Sequence, residues 1–196
     1  MKLVLATRNE HKRRELGRIL ADHELEALGE EVQLPPEDGE TFAENALGKA
    51  RAVARATGRA AIGEDSGIEA AALGGEPGVR SARFASASGE NASDEANLEK
   101  LRSEAPVGSG LRYVCALAYA DPARGLARVF HGYCSGRLAA DARGSGGFGY
   151  DPVFLPDEGP DELTMAELSD EQKDAISHRG NAARALDEWL ASSRGS

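Results

Sequence analysis

The spacing of hydrophobic positions along the chain alternates between the pattern of a strand and that of a helix. It therefore predicts strands interleaved with helices. The apolar run Leu3-Val4-Leu5-Ala6 has the length of a buried strand. Asn9 then caps a predicted helix that ends at about Leu20 and carries Leu16 on its apolar face. The chain therefore opens on a strand, a loop and a helix.

A second helix and a second strand follow in the opposite order. Thr41-Phe42-Ala43-Glu44 is a capping box, and it predicts a helix to about Thr57 that Gly58 ends. Residues 60–63 are apolar enough to form the next strand. Asp65 is therefore expected at the carboxyl end of that strand, where open α/β sheets usually place their ligands.

The second half of the chain predicts a hairpin preceded by a helix. Ser93 caps a predicted helix that stops before Pro106. β-Branched and aromatic residues recur across residues 112–120 and 126–138, which indicates two long antiparallel strands joined at Asp121-Pro122. Because strands and helices alternate without an internal repeat, we expect an α/β fold.

The last predicted helix carries a basic residue at its start. Ser169-Asp170-Glu171-Gln172 is a capping box, and the apolar stripe behind it continues to Leu190. Lys173 falls in the first turn. We expect the residues after about 191 to form a frayed tail, and residues 1–196 to form a single domain.

Composition and charge exclude several classes of protein. With 196 residues, of which 41% are hydrophobic, the chain can bury its own core. The net charge of −10 argues against nucleic-acid or anionic-membrane binding, which draws on clustered Lys and Arg. No signal-like leader or membrane-length apolar run occurs, so we expect a cytoplasmic protein. Cys115 and Cys134 are expected as buried reduced thiols.

The connection between the first strand and the first helix is a candidate phosphate site. A helix N-terminus presents free backbone N–H groups and a positive dipole end, to which Asn9 and Lys12 add side-chain donors. Taken alone, the segment is better explained as a capped helix start with a solvated basic face. The spacing of a P-loop is absent, so Walker-type phosphoryl transfer is not indicated. The segment consists of Thr7, Arg8, Asn9, Glu10, His11 and Lys12.

Two further segments carry groups that suit a nucleotide. The adjacent acids of Glu64-Asp65-Ser66-Gly67 can hold Mg²⁺ or activate water, although a polar turn explains them equally well. In Gly146-Gly147-Phe148-Gly149-Tyr150-Asp151, three glycines let the backbone approach a ligand while an aromatic ring lies on a flat base.

The Ser177-His178-Arg179 sequence does not indicate a serine hydrolase. Neighbouring residues on a helix point apart, and the chain has no Gly-x-Ser-x-Gly elbow. His178 and Arg179 are more plausible as hydrogen-bond donors to a base or phosphate, with surface or helix-end charges as the alternative.

Taken together and in order, these segments resemble the inosine triphosphate pyrophosphatase family, in its bacterial-type branch. The resemblance covers almost the entire chain. The matching blocks are Thr7 to Lys12, Thr41 to Ala46 with Lys49, Glu64 to Gly67, Leu73 to Gly78, Ser81 to Arg83, Gly146 to Pro152, Ala166 to Leu168 with Lys173, and Ala175 to Gly180.

The resemblance implies an α/β fold with a long mixed central sheet flanked by helices, two lobes around a central cleft, and a homodimer. It implies Mg²⁺-dependent hydrolysis of ITP, dITP and XTP between the α- and β-phosphates, which gives the nucleoside monophosphate and pyrophosphate. The implied role is to remove deaminated purines from the nucleotide pool.

The same resemblance assigns roles to residues. Asp65 matches the catalytic acid-base carboxylate and a metal ligand, and Glu37 matches a second metal ligand. Residues 7–12, Lys49 and Lys173 match triphosphate contacts. The other substrate-binding matches are Ser66, Phe148, Gly149, Tyr150, Asp151, His178 and Arg179.

The chemistry of the reaction requires cations beside an acid. Attack on the α-phosphorus needs charge neutralisation, which Mg²⁺ with Lys12, Lys49 and Lys173 can supply. Asp65 either orients a metal-activated water or takes its proton, and metal ligation would lower its basicity.

Three other functions remain open from the sequence. A septum-inhibitor-type (Maf) pyrophosphatase would share the hydrolysis but use other motifs. A non-catalytic nucleotide-binding module would keep the pocket without needing Glu37 and Asp65. A nucleic-acid-binding protein is disfavoured by the acidic charge.

Overall fold

The computed structural model describes residues 1–160 and 162–193. Its strands are β1 (Lys2–Ala6), β2 (Glu24–Glu26), β3 (Ala61–Ala70), β4 (Gly110–Asp121), β5 (Leu126–Leu138) and β6 (Phe154–Pro156). Its α-helices are α1 (Glu10–Ile19), α2 (Phe42–Thr57), α3 (Asp94–Glu104), α4 (Asp170–Ile176) and α5 (His178–Ser192). Within this part of the chain, no helix has both the length and the apolar character needed to cross a bilayer.

The six strands form one mixed sheet in the order β2-β1-β3-β4-β5-β6. β1 runs parallel to both β2 and β3. Val4 of β1 lies opposite Ala61 of β3. β6 pairs antiparallel with β5, opposite Gly136 and its neighbours. The mixed α/β sheet expected from the sequence is therefore confirmed.

The chain divides into two compact units, each with its own apolar core. Of the described residues, the first unit contains 1–65, 115–132 and 178–193, and the second contains 66–114, 133–160 and 162–177. The core of the first unit is built from Leu3, Leu5, Leu16, Leu20, Ile62, Cys115, Leu117, Tyr119, Phe130, Ala182, Ala183, Leu186 and Leu190. The core of the second includes Ile68, Phe84, Leu98, Leu101, Tyr113, Leu138, Tyr150, Phe154 and Met165.

Helix ends follow the capping residues in the sequence. Thr41 and Glu44 form the predicted reciprocal capping box at the start of α2, and Gly58 ends the helix at a φ of 65°. Asn9 and Ser93 cap α1 and α3 as expected. Both cysteines are free and buried, also as expected.

Two expectations about secondary structure were wrong. β3 does not end before Asp65 but continues to Ala70, because the acids in its middle are buried among polar partners rather than exposed in a turn. The last helical region is not continuous, since Ser177 adopts an extended conformation between α4 and α5. Helix α5 reaches Ser192, and the rest of the expected tail, residues 194–196, lies outside the described residues.

Candidate active site

Glu64 and Asp65 are consecutive residues of β3, so their side chains leave opposite faces of the sheet. Gly63 shares the Asp65 face and lies against α2, where a Cβ on Gly63 would come within 2.2 Å of Ala46 O. Only glycine allows this close packing of helix on strand. Helix α2 therefore packs on the face of the sheet that carries Asp65, and not on the face that carries Glu64.

On its own face, Glu64 contacts two cations. Lys12 Nζ from α1 lies 2.7 Å from Glu64 Oε2, and Arg179 Nη2 from α5 donates to Glu64 Oε1 at 3.0 Å. Arg179 also donates to Glu15 through Nη1. Burial favours a raised pKa for Glu64, but the charges of Lys12 and Arg179 outweigh it and hold that pKa well below its usual range. Glu64 is therefore ionised at neutral pH.

Asp65 contacts α2, which also contacts the loop that precedes it. Asn45 Nδ2 donates to Asp65 Oδ2 at 2.9 Å, and Lys49 Nζ lies 3.6 Å from Asp65 Oδ1. Asn45 and Lys49 are one helical turn apart, so both reach the same carboxylate. Lys49 Nζ also donates to Glu37 Oε1 at 2.5 Å. Burial raises the pKa of Asp65 above its ordinary value, against the opposing charges of Lys49 and Lys12.

The pKa values of the two adjacent carboxyl groups are thus shifted in opposite directions. The pKa of Glu64 is lowered by its cations, while the pKa of Asp65 is raised because desolvation prevails there. Acids whose environments separate their pKa values in this way commonly divide the roles of fixed charge and proton acceptor. The opposite directions of the two pKa shifts favour Asp65 as the more basic member of the pair.

The oxygen donors around Lys49 suit a magnesium ion. Glu37 and Asp65 both face one cation, the Lys49 ammonium group. Over the described ranges, no three His, Cys, Asp or Glu side chains are grouped to hold a metal by themselves. Mg²⁺ ordinarily takes one or two carboxylates and completes its shell with water and substrate phosphate oxygens. Two acids are therefore a sufficient protein contribution.

The predicted phosphate segment, residues 7–12, forms the start of α1. Asn9 Oδ1 accepts hydrogen bonds from the backbone N–H groups of His11 and Lys12, at 2.9 and 3.1 Å. The Lys12 side chain reaches Glu64, which brings this segment to the carboxylate pair. Other contacts of the segment include Asn9 N to Thr7 Oγ1 at 3.2 Å, Arg8 Nη2 to Val32 O at 2.9 Å, Arg13 Nη2 to Glu10 Oε2 at 2.7 Å and Arg14 Nη2 to His11 Nδ1 at 2.9 Å.

In the second unit, Asp151 organises the glycine-rich loop. Its Oδ1 accepts from the Tyr113 hydroxyl at 3.0 Å, and its Oδ2 accepts from Phe148 N at 2.8 Å and from Lys173 Nζ at 2.6 Å. Gly147 has a φ of 67°, and a Cβ there would come within 2.0 Å of Asp151 Oδ2. The predicted residues Phe148, Asp151 and Lys173 are therefore brought together, with Lys173 Nζ 5.3 Å from the Phe148 ring centre.

Neighbouring loop residues are fixed to the same unit. Gly149 N donates to Asp94 Oδ2 at 2.7 Å. Tyr150 is buried in the core of this unit, and its hydroxyl donates to Ser81 O at 2.8 Å. The structure thus gives Tyr150 a packing role beside its predicted role in substrate binding.

Three other predicted residues lie within or at the start of regular elements. Ser66 follows Asp65 in β3 and is half-buried. His178 begins α5 and is buried, as is Arg179 beside it. Arg179 is thus a buried partner of acids and not a solvent-exposed helix charge.

Similarity to known proteins covers nearly the whole chain. A model of the Ham1 family matches residues 3–189. The chain belongs to the Ham1 family. This Ham1 chain is 46% identical over 195 residues to a dITP/XTP pyrophosphatase of Cutibacterium acnes, with 94% of each protein covered. It is also 46% identical to a dITP/XTP pyrophosphatase of Deinococcus radiodurans, over 94% of this chain and 90% of the relative.

Solved structures of Ham1 proteins have the same fold. A Ham1 protein of Staphylococcus aureus superposes with a TM-score of 0.82 at 38% identity, over 98% of this chain and 100% of the other. A nucleoside-triphosphatase, also described as a dITP/XTP pyrophosphatase, from Mycobacterium abscessus superposes with a TM-score of 0.72 at 42% identity, over 95% and 98% of the two chains. The family resemblance read from the sequence is confirmed.

Some residues of this Ham1 chain contact the candidate sites although they were not among the predicted site residues. Among them are Glu15, Asn45 and Tyr113. Asn45 and Glu15 did carry a signal, because each is a polar residue on the apolar face of its helix, beside Ala46 and Leu16 respectively. Buried polar side chains need partners, so such positions indicate a polar site.

Proposed function

We propose that this chain hydrolyses the triphosphates of deaminated purine nucleosides, dITP, XTP and ITP, to the nucleoside monophosphate and pyrophosphate. The observation that carries the proposal is the carboxylate pair of β3, in which Glu64 contacts Lys12 and the adjacent Asp65 contacts Lys49. The names of the relatives, dITP/XTP pyrophosphatase, support the substrate class.

The residues around Asp65 suit attack of water on the α-phosphorus. Asp65 takes the proton of the attacking water, and Asn45 Nδ2 holds its carboxylate in place. Lys12 and Lys49 neutralise phosphate oxygens as charge moves to the leaving pyrophosphate. Magnesium held by Asp65 and Glu37 would add Lewis-acid neutralisation of the same oxygens. The ion pairs of both lysines keep these ammonium groups in place before substrate binds.

Selection of the base follows from one exchanged group on the purine. Hypoxanthine and xanthine carry a carbonyl at position 6, where adenine carries an amino group. A pocket that offers hydrogen-bond donors at position 6 accepts hypoxanthine and xanthine. With adenine, the donors of the pocket would face the amino group, which is also a donor. Such mismatches can lower kcat/KM by roughly 10⁴- to 10⁵-fold, whereas a pocket that selects by apolar shape alone gives a ratio of about 10². GTP shares the carbonyl, so its exclusion must depend on its amino group at position 2.

The remaining substrate contacts stay part of the proposal. We assign phosphate contacts to residues 7–12, Lys49 and Lys173, and base stacking to Phe148. Ser66, Gly149, Tyr150, Asp151, His178 and Arg179 complete the proposed substrate-binding set.

The test is to identify both products for a panel of nucleoside triphosphates in ¹⁸O-labelled water with Mg²⁺. We expect labelled nucleoside monophosphate and unlabelled pyrophosphate, with kcat/KM for dITP and XTP far above that for dATP and dGTP. Orthophosphate as the first product would contradict the site of cleavage. Equal efficiency on dATP and dITP would contradict the substrate class, and absence of turnover would favour a binding module.

We also propose that the chain acts as a homodimer, in accordance with the family resemblance. Sedimentation velocity at micromolar concentration should then give twice the mass of one chain. A single species of monomer mass would contradict this part of the proposal.

A further inference from the structure

Asn45 links two parts of the hydrolysis site through one carboxamide group. Its Nδ2 donates to Asp65 Oδ2 at 2.9 Å, and its Oδ1 accepts from Gly39 N at 2.9 Å. The side chain is buried, with 5% of the residue exposed. Asp65 is buried as well, so loss of the hydrogen bond from Asn45 leaves a buried carboxylate oxygen without this partner.

The two contacts require the chemistry of an amide. A backbone N–H can only donate, and an ionised carboxylate can only accept, so the residue between them must accept on one side and donate on the other. This also fixes the orientation of the amide, because the reverse assignment would place donor against donor and acceptor against acceptor. Neither Asp nor Leu, which match Asn in size, can satisfy both partners.

Gly39 lies two residues after Glu37, in the loop that leads into α2. A Cβ on Gly39 would come within 2.7 Å of Asn45 Oδ1 and 2.9 Å of Glu44 Cβ, so the loop lies directly on the first turn of the helix. Glu44 supports the same contact, since its Oε2 accepts from Glu40 N at 2.8 Å. The position of Glu37 is thus set by the way its loop is attached to α2.

We propose that Asn45 is a positioning residue for hydrolysis, which holds the Asp65 carboxylate and the Glu37 loop in one fixed arrangement. The proposal rests on the proposed function, in which Asp65 and Glu37 bind the metal. Glu44 attaches the loop to the helix but does not reach Asp65, whereas Asn45 connects loop and strand directly. Its loss should therefore weaken metal binding and turnover and leave binding of the nucleotide much less affected.

Asn97 provides a matched control in the second unit. It is as buried as Asn45, at 2% exposed, and its carboxamide also bridges two groups. Its Oδ1 accepts from Ala85 N at 2.8 Å, and its Nδ2 donates to Ala82 O at 3.1 Å. Asn97→Ala should therefore reproduce the loss of stability caused by Asn45→Ala without touching the proposed metal ligands.

The experiment measures Mn²⁺ binding to the nucleotide-free protein by electron paramagnetic resonance, together with kcat and KM for dITP and the Tm of each variant. For Asn45→Ala we expect Mn²⁺ affinity and kcat each to fall by roughly 10- to 100-fold, as for other groups that orient metal ligands, with KM changed by less than about threefold. Asn97→Ala should lower Tm by a similar amount and leave Mn²⁺ affinity and kcat unchanged.

A second variant perturbs the same link from the loop. Gly39→Ala keeps Asn45 but forces its Oδ1 away from the loop, so Mn²⁺ affinity and kcat should fall again. If Asn45→Ala does not fold, this variant alone tests the positioning role of Asn45. Wild-type Mn²⁺ affinity in a folded Asn45→Ala or Gly39→Ala protein would overturn the proposal, as would equal losses in Asn97→Ala. Failure of the wild type to hydrolyse dITP would instead reject the proposed function, and the Mn²⁺ comparison would still test the link.

Discussion

Arg179 Nη2 donates to Glu64 Oε1 at 3.0 Å, and the two side chains are only 2% and 1% exposed. The same guanidinium group donates to Glu15, whose side chain is 7% exposed. A fork of N–H donors lets one arginine hold two acids in fixed positions. The cluster therefore places Glu64 rigidly, at the cost of burying three charges that depend on one another.

This dependence predicts a large loss of stability on removing Glu15. Glu15→Ala leaves the Arg179 charge partly uncompensated in the core, and such losses cost about 3–5 kcal/mol in free energy of unfolding. The control is Glu99→Ala, which removes an exposed pair with Arg102 and should cost less than about 1 kcal/mol. Urea unfolding measures both. Equal losses in the two variants would show that the buried cluster adds no special stability.

The lowered pKa of Glu64 predicts a pH-dependent contribution to stability. Because this pKa lies well below the usual 4.5, the unfolded state takes up the proton first as the pH falls. The contribution of the Glu64 charge is therefore complete above about pH 5 and is lost as the pH falls through the folded-state pKa. The difference in free energy of unfolding between wild type and Glu64→Gln should be full at neutral pH and shrink in acid. A difference that stays constant from about pH 7 to about pH 3 would contradict the shift.

The contact between Gly63 and α2 predicts opposite effects for two glycine substitutions. In Gly63→Ala the new Cβ would meet Ala46 O and Ala50 N at 2.2 and 2.6 Å, so strand and helix must separate, at a cost of about 1–3 kcal/mol or more. In Gly17→Ala the Cβ meets nothing within 4 Å on α1, and helix propensity should add about 0.5–1 kcal/mol. Thermal unfolding distinguishes the two. Tolerance of alanine at position 63 would show that α2 does not need this approach.

The role of Asp65 predicts a catalytic loss without a folding defect. Asp65→Asn keeps the size of the side chain and removes its charge, so kcat for dITP should fall by about 100-fold or more. The circular dichroism spectrum should be unchanged. Asp22→Asn, at an exposed position, is the control and should retain full activity. Near-normal turnover of Asp65→Asn would reduce Asp65 to a structural strand residue.

Local signals in the sequence predicted the elements that depend on local chemistry. The capping boxes at Thr41 and Ser169 are confirmed because their partners lie three residues away. The hairpin of β4 and β5 is confirmed for a similar reason, since its turn and its strand residues are contiguous. Helix boundaries were therefore predicted to within a few residues, apart from the break at Ser177.

Asp65 shows why the site was harder to predict than the elements. Its run of acid, serine and glycine is typical of a turn, yet it continues as a strand because Asn45 and Lys49 supply partners from another element. Glu64 depends in the same way on Arg179, which is remote in sequence. Such pairings are set by tertiary structure, and the order of residues along the chain contains no direct signal for them.

The division of the chain into two interleaved units has a consequence for protein engineering. The first unit is assembled from three separate stretches and the second from two, and β3, β4 and β5 each pass from one unit to the other. No single cut in the gene therefore releases either unit whole. A chimaera of two Ham1 proteins that exchanges one unit needs crossovers inside three strands, where mismatched side chains meet directly. Recombination by exchange of whole segments is accordingly a poor route to new specificity in this fold, and point substitution is the better one.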